Sequence, residues 1–203
     1  MQDCLMREAT KADLQRVVNT LSAAFYEDPL VTWFVRDGAA RAEALHALFT
    51  FMVIDEPPEG IWLDIANDGA AIAMWMAPGR ARSADGLLNQ LAHLPRFLKI
   101  SGFSRIIRAL LVGQMLDKIH PHTPHAYLQF LACHPSAQGK GLGSALLRHR
   151  LALIDAAGIP AFLETAGAQN LPLYLRYGFE VQGEVRPSAQ GPLVWPMWRA
   201  ASH

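Results

Sequence analysis

Apolar positions in the first quarter of the chain repeat at helical spacing. Thr10-Lys-Ala-Asp13 is typical of a helix start with a capping side chain and an acid in the first turn, and apolar residues then recur every three or four positions up to Phe25. Asp28-Pro29 ends this helix, because the residue before a proline is pushed out of the helical region. A second helix is predicted over residues 40–54, and the following Glu56-Pro-Pro58 stops it.

Shorter apolar runs predict strands. Residues 61–66 and 70–76 flank Asn67-Asp-Gly69, which is a hairpin turn signal. Helical periodicity fills residues 83–119 in two stretches, with a kink or restart at Pro95 and a break near Ile100-Ser-Gly102. Further strands are predicted at 5–9, 126–133, 161–165, 179–185 and 193–199, and further helices at 141–157 and 171–177. This order predicts a mixed α/β fold.

Composition narrows the class of protein. The 203 residues are enough for a substantial core, and no linker or repeat divides them, so residues 1–203 are predicted to form a single domain. The apolar runs are shorter than the ~20 residues of a membrane span, and no secretory leader is visible. Cys4 and Cys133 do not predict a disulfide, which fits a cytoplasmic protein. The zero net charge gives no indication of a basic face for nucleic acid, and no nucleic-acid or membrane partner is expected.

Residues 128–147 are the most informative segment. A strand-forming run stops at Pro135, and three alternating glycines then lead without a break into an amphipathic helix. Flexible backbone and free N–H groups at a helix start form a socket for phosphate. Lys140 is followed by glycine, so the segment is not a Walker A loop, and it lacks the spacing of a dinucleotide fingerprint even though Glu164 lies about twenty residues downstream. The loop therefore predicts a phosphorylated cofactor of another kind.

Three motifs in and after this segment occur in a characteristic order. Gln138-x-x-Gly141-x-Gly143 is followed by Leu163-Glu-Thr165 and then by Asn170 with Tyr174-x-x-x-Gly-Phe179. Together they resemble the motifs of GNAT-type N-acetyltransferases, over residues 126–182. The resemblance implies a mixed, partly splayed central sheet flanked by helices, with residues 83–119 as a helical insertion before the cofactor strand. It also implies acetyl-CoA as the acetyl donor, without a metal.

The resemblance assigns roles to individual residues. The fourth strand would pair with the pantetheine arm and offer an oxyanion donor through the backbone of Leu131, Ala132 and Cys133. Tyr174 would be the general acid, and Tyr177 a core residue. Asn170 would contact the cofactor, although it lies four residues before the tyrosine rather than the commoner five. The pyrophosphate loop would comprise Gln138, Gly139, Lys140, Gly141, Gly143 and Ser144.

Two side chains are candidates for the general base. Glu164 ends a strand expected to lie near the thioester, and His125 begins the cofactor strand; solvent could instead take the proton. The run His-Pro-His-Thr-Pro-His ending at His125 favours a plain loop over a metal site, because it contains two prolines and no nearby thiolate or acid. Cys133 favours a core thiol over a nucleophile, because apolar surroundings raise the pKa of a thiol.

The acceptor site is expected where the first helix ends. Asp28 and Trp33 are predicted to bind substrate, with the loop 188–192 and part of the 83–119 helices as further walls. The chain is thus predicted to move an acetyl group from acetyl-CoA to the primary amine of a small molecule, by direct attack in a ternary complex, as a monomer or a homodimer. Two alternatives are a non-catalytic acyl-CoA-binding sensor or interaction module and a transferase that uses a longer acyl-CoA. Tyr174 favours turnover over sensing.

Overall fold

The computed structural model describes residues 5–79 and 93–201, in which seven strands form one sheet flanked by helices. The order across the sheet is β1-β2-β3-β4-β5-β7-β6. Among the described pairs, β4 and β5 alone run parallel. The predicted mixed, helix-flanked sheet is confirmed. The strands are β1 (Met6–Glu8), β2 (Ile61–Ala66), β3 (Ala71–Met76), β4 (Ala126–Cys133), β5 (Ala161–Thr165), β6 (Glu180–Val181) and β7 (Trp195–Arg199).

Six α-helices lie within the described ranges. The helical prediction for residues 83–119 is confirmed from Leu94 onward, while residues 83–92 lie outside the described residues. Gly102 interrupts this helix with a φ of 66°, at the predicted break. None of these helices combines the length and the apolar character needed to span a membrane. The helices are α1 (Leu14–Ala24), α2 (Pro29–Phe34), α3 (Arg41–Thr50), α4 (Leu94–Ile119), α5 (Leu142–Ala156) and α6 (Leu171–Arg176).

The end of the second predicted helix is different from the expectation. The α-helix stops at Thr50, and the chain widens into a π turn over Phe51–Asp55 instead of continuing as α-helix to residue 54. A π turn rotates the side chains that follow it relative to those of a regular helix, and such turns are frequent at functional sites. Here Phe51 and Met52 are turned towards the cavity described below.

Asp28-Pro29 ends a helix as predicted, but it also begins one. Pro29 occupies the first position of α2, where its missing N–H costs nothing. The Asp28 carboxylate oxygen Oδ1 accepts the backbone N–H groups of Leu30 at 3.0 Å and Val31 at 2.9 Å. This cap fixes the position of the Asp28 side chain.

The last two predicted strands are shorter than expected. The predicted strand 179–185 is reduced to β6 at Glu180–Val181 and one isolated bridge between Val185 and Val194. Gly183 lies between them with a φ of 151°, a conformation that interrupts the regular ladder. β7 begins at Trp195 rather than at residue 193.

A β-bulge reverses the faces on which the side chains lie in the second half of β4. Trp75 pairs with Leu128 and Met74 with Phe130, so Gln129 is an extra residue on β4. Regular alternation would place Leu128 and Phe130 on the same face of the sheet. Instead, Leu128 joins the core under α5 and α6, and Phe130 packs in the core under α1 and α3. The bulge thereby directs Phe130 towards α1 and α3.

Candidate active site

A cavity of about 510 Å³ lies over β4, enclosed by α2, the π turn, α4 and the ends of β5 and α6. Most of its walls are aromatic or aliphatic. The charged side chains in the described part of its lining are Asp28, Asp117 and Glu164, all of them acidic. The cavity therefore suits a molecule with an apolar body and a positive charge. Five phenylalanines contribute to its walls: Phe25, Phe34, Phe51, Phe97 and Phe130.

β4 and β5 separate at the floor of this cavity. They pair over three positions that end at Leu128, and β4 then continues to Cys133 without β5 beside it. His134 donates its backbone N–H to the carbonyl of Ala70, on the β3 side, at 2.9 Å. Because N–H groups alternate between the two edges of a strand, those of Cys133 and Leu131 point to the open edge. An extended ligand can therefore add to this edge as an extra strand.

The glycine loop connects the open edge of β4 to α5. Gly139 and Gly141 have φ values of 74° and 77°, and a Cβ on either would meet no atom within 4 Å. Within residues 5–79 and 93–201, no backbone carbonyl accepts the N–H groups of Gly139, Lys140 or Gly141, and the helical bonding begins with Ala145 N–H to the Gly141 carbonyl at 2.9 Å. The loop thus presents open donors at the positive end of a helix, an arrangement that binds phosphate.

Gly143 has a packing role next to this loop. A Cβ there would lie 3.3 Å from the Cys133 sulfur, so its small size allows α5 to approach β4. Burial raises the pKa of the Cys133 thiol, and the N–H of Gly143 offsets this in part. A thiol with a raised pKa is a weak nucleophile at neutral pH, which favours the core role of Cys133.

Tyr174 lies against the cavity with 7% of its surface exposed. Burial, and then the negative charges of Asp28 and Cys133, raise the pKa of its hydroxyl, which therefore stays protonated at neutral pH. In the described part of the chain this hydroxyl makes no hydrogen bond. Tyr177 instead donates its hydroxyl to the Ser144 carbonyl of α5 at 3.0 Å. Of the two tyrosines, Tyr174 is therefore the one whose proton faces the cavity.

Asp28 and Glu164 are two of the three carboxylates that line the cavity with Tyr174. Burial raises the pKa of Asp28, against the opposing effect of its hydrogen bonds from the N–H groups of Val31 and Leu30. No cationic side chain of the described residues forms an ion pair with Asp28. Glu164 reaches the same cavity from β5, one residue beyond the point where β5 leaves β4. The site therefore combines a neutral phenol with acidic groups that attract a cation.

Other residues singled out in the sequence are more widely distributed. Asn170 lines the cavity beside Tyr174, and Lys140 is exposed on the glycine loop. Trp33 lies outside the cavity lining, and its ring contacts the guanidinium of Arg108 on α4, 5.4 Å from the ring centroid. The loop 188–192 does not line the cavity either. Of the predicted acceptor residues, the structure places Asp28 at the cavity and Trp33 behind its wall.

The histidine-rich segment lies beside the sheet and outside the cavity. The rings of His120 and His125 are 4.8 Å apart, and His125 also packs against Phe162 and Trp198. The His125 nitrogen Nδ1 lies 2.7 Å from the carbonyl of Thr123, and burial lowers the pKa of the His125 ring. The described residues contain no group of three or more potential ligands placed to hold a metal ion. Of the two side chains considered as bases, Glu164 lines the cavity and His125 does not.

Sequence reasoning missed Gln129 and most of the aromatic wall. Gln129 lines the cavity, and its side-chain oxygen is buried without a hydrogen-bond partner among the described residues. Its position depends on the bulge, which is a property of the pairing with β3 and leaves no local signal in β4. The phenylalanines come from segments far apart along the chain, and each alone reads as an ordinary core residue.

The chain is similar to known acetyltransferases. A family model of the acetyltransferase (GNAT) domain matches residues 102–181. An uncharacterized N-acetyltransferase of Schizosaccharomyces pombe is 25% identical over 181 residues, covering 85% of this chain and 73% of the relative.

Two solved structures resemble the whole fold. A Corynebacterium glutamicum protein, named as histone acetyltransferase HPA2 and related acetyltransferase, superposes with a TM-score of 0.75 and 26% identity, covering 98% of this chain and 97% of that one. Arylalkylamine N-acetyltransferase 2 of Aedes aegypti superposes with a TM-score of 0.64 at 15% identity, covering 98% and 99%.

The splayed sheet, the glycine loop and the adjoining cavity define an acyltransferase. The family match over residues 102–181 and these relatives show that the chain resembles GNAT N-acetyltransferases in that segment and in its whole fold, which supports an acyltransferase enzyme.

Proposed function

We propose that this enzyme transfers the acetyl group of acetyl-CoA to the primary amine of a small molecule, by direct attack in a ternary complex. The observation that carries the proposal is the position of the cavity. It opens beside the free edge of β4, so a donor on that edge and an acceptor in the cavity meet near Tyr174. Holding two reactants in this way replaces a bimolecular encounter with a positioned one.

The residues present fit acetyl-CoA. The open N–H groups of Gly139, Lys140 and Gly141 match a pyrophosphate, and the exposed Lys140 adds a positive charge. The N–H groups at Leu131 and Cys133 would hold the pantetheine arm. When bound, acetyl-CoA supplies an activated acetyl thioester. Gln138, Gly143 and Ser144 complete the loop, and Asn170, which directly precedes α6, would contact the cofactor from the lining of the cavity.

The side chains at the cavity account for the proton transfers. Glu164 takes a proton from the acceptor ammonium, directly or through water, and the amine nitrogen can then bond to the acetyl carbon as the C–S bond breaks. Tyr174 gives its proton to the departing sulfur and takes the second proton that the nitrogen loses as the amide forms, so that it ends as a neutral phenol again. Burial, and after it the negative charge of Asp28, raises the pKa of Tyr174. An acceptor cation near Asp28 would offset the second effect and lower that pKa towards the value needed for donation.

A comparison of Tyr174→Phe with Tyr177→Phe tests the proposal. In the presence of a panel of primary amines, wild-type protein should release CoA from acetyl-CoA. Tyr174→Phe should lower the turnover rate by about 10²–10⁴-fold, the usual effect of losing a general acid, with little change in acetyl-CoA affinity.

Tyr177→Phe is the matched control, because it removes one tyrosine hydroxyl from the residue that follows α6 directly. It should lose the hydrogen bond to Ser144, destabilise the fold by about 0.5–1.5 kcal/mol and keep its turnover. Tight acetyl-CoA binding without CoA release for any amine would indicate the sensor alternative. A larger loss of turnover in Tyr177→Phe would contradict the assignment of the acid.

A further inference from the structure

The cavity also indicates the size and polarity of the group that carries the acceptor amine. Its volume of about 510 Å³ lies well within the range of pockets that hold drug-sized ligands, and its walls are mainly aromatic and aliphatic. An acceptor made of little more than an ammonium group would leave this apolar surface in contact with water. The cavity therefore fits an acceptor whose apolar body is much larger than its amine.

The charges in the cavity exclude several classes of acceptor. Its described lining contains Asp28, Asp117 and Glu164 and neither lysine, arginine nor histidine. An amino acid with a free carboxylate, or a phosphorylated amine, would find no cation to pair with. A polyamine would place its inner charges against phenylalanine side chains, where burying an unpaired charge is costly. A monoamine with one cationic end matches both the acids and the apolar walls.

One face of α4 determines how much room the apolar body has. The cavity-lining positions Ile106, Ala109, Gly113 and Leu116 recur at helical spacing. Gly113 has no side chain at the centre of this face, and a Cβ there would meet no atom within 4 Å. Glycine inside a helix lowers its stability relative to alanine, so an open position here comes at a cost in stability.

We infer that the acceptor is a primary monoamine with a large aromatic or long alkyl body, which lies along α4, and that Gly113 sets the size of body the enzyme accepts. The inference rests on the proposed function. The ammonium lies at the Tyr174 end of the cavity, near Asp28 and Glu164, and the body extends over Phe130 towards the phenylalanines of the π turn and α4.

Gly113→Phe tests this inference, because the new ring would fill the space along α4. With acetyl-CoA, wild-type kcat/KM should rise from propylamine through hexylamine to phenethylamine and tryptamine, by up to about fourfold for each methylene equivalent that is buried. Gly113→Phe should lower kcat/KM for tryptamine at least tenfold while propylamine is affected less than threefold. Ile107→Phe is the matched control, since it adds the same ring to an exposed position of α4 that does not line the cavity.

The opposing results are specific. If wild-type kcat/KM does not increase with the size of the amine, the inference is wrong. If Gly113→Phe alters the preference between acetyl-CoA and octanoyl-CoA but not between amines, the space holds an acyl chain instead. If Gly113→Phe does not fold, Ala109→Leu should show the same loss of large amines. Calorimetry distinguishes failure of this inference from failure of the proposed function. If tryptamine binds to wild type and binds more weakly to the variant, but no amine is turned over, the cavity assignment is supported and the enzymatic proposal is contradicted.

Discussion

The donor and acceptor sides of the site are built from very different arrangements of chain. On the donor side, β4, the glycine loop and the start of α5 follow one another within residues 126–147. On the acceptor side, the walls come from α2, the π turn, α4, β4 and β5, which are separated by long stretches of sequence. The proposed donor side offers mainly backbone N–H groups, whereas the proposed acceptor side offers side chains.

This difference explains why the donor side can be specified by a short motif. Its requirements are free N–H groups and left-handed backbone, and glycine meets both at Gly139 and Gly141. Apolar side chains from distant segments can fill the acceptor side in many combinations. The same backbone frame can therefore hold one donor while the acceptor changes, and the three experiments that follow probe the two sides separately.

The largest effect is expected on the donor side, from Gly141→Asp. The new carboxylate would lie against the pyrophosphate, and juxtaposed like charges cost several kcal/mol, so CoA should bind about 100-fold more weakly or worse. Calorimetric titration of the folded variant with CoA would measure this. Acceptor binding, measured with tryptamine, should change little.

Gly158→Asp provides a control for backbone strain. Gly158 has a φ of 63° and the same open space around its Cβ position, but it follows the other end of α5. The Gly158→Asp variant should lose about as much stability as Gly141→Asp and should keep the CoA affinity of wild type. Equal CoA affinity in the two variants would mean that the loop does not hold the pyrophosphate.

The same contrast determines how much could be predicted from the sequence. The glycine loop before α5, the hairpin at Asn67-Asp-Gly69 and the break at Gly102 were predictable, because each depends on local backbone preferences. The bulge at Gln129 was not, because it is set by the partner strand. Trp33 was predicted at the acceptor site because its segment follows the first helix. In the structure it lies on α2 outside the cavity lining, since successive positions of a helix point in different directions.

The second experiment concerns Glu164, where the two sides meet. Glu164→Gln removes the proton acceptor while nearly preserving shape, so kcat for the best amine of the panel should fall by about 100-fold at neutral pH. The defect should shrink as the pH approaches the pKa of the acceptor amine, because solvent then supplies the deprotonated amine. Steady-state rates between pH 6 and pH 10 would show this convergence. A defect that stays constant with pH would assign Glu164 to binding rather than to proton transfer.

The smallest effect on turnover, and the clearest separation of function from stability, is expected for Asp28→Asn. Asparagine can accept the same N–H groups of Leu30 and Val31, so the cap on α2 should survive. Loss of the charge should raise the acceptor KM by about tenfold, since hydrogen bonds to charged groups are worth roughly 1.5–3 kcal/mol. CoA affinity should stay unchanged.

Stability should move in the opposite direction to activity in this variant. Burial raises the pKa of Asp28 in the folded state, so the folded protein holds the proton more tightly than the unfolded chain. This contribution to stability is complete below the ordinary carboxyl pKa of about 4 and is lost as the pH rises through the folded value. Asp28→Asn avoids that loss. At pH 7 the variant should unfold at a higher denaturant concentration than wild type, and at pH 3 the unfolding midpoints of the two proteins should converge. A variant that is less stable than wild type at pH 7 would show that an ionised Asp28 is stabilised by a partner in the free enzyme.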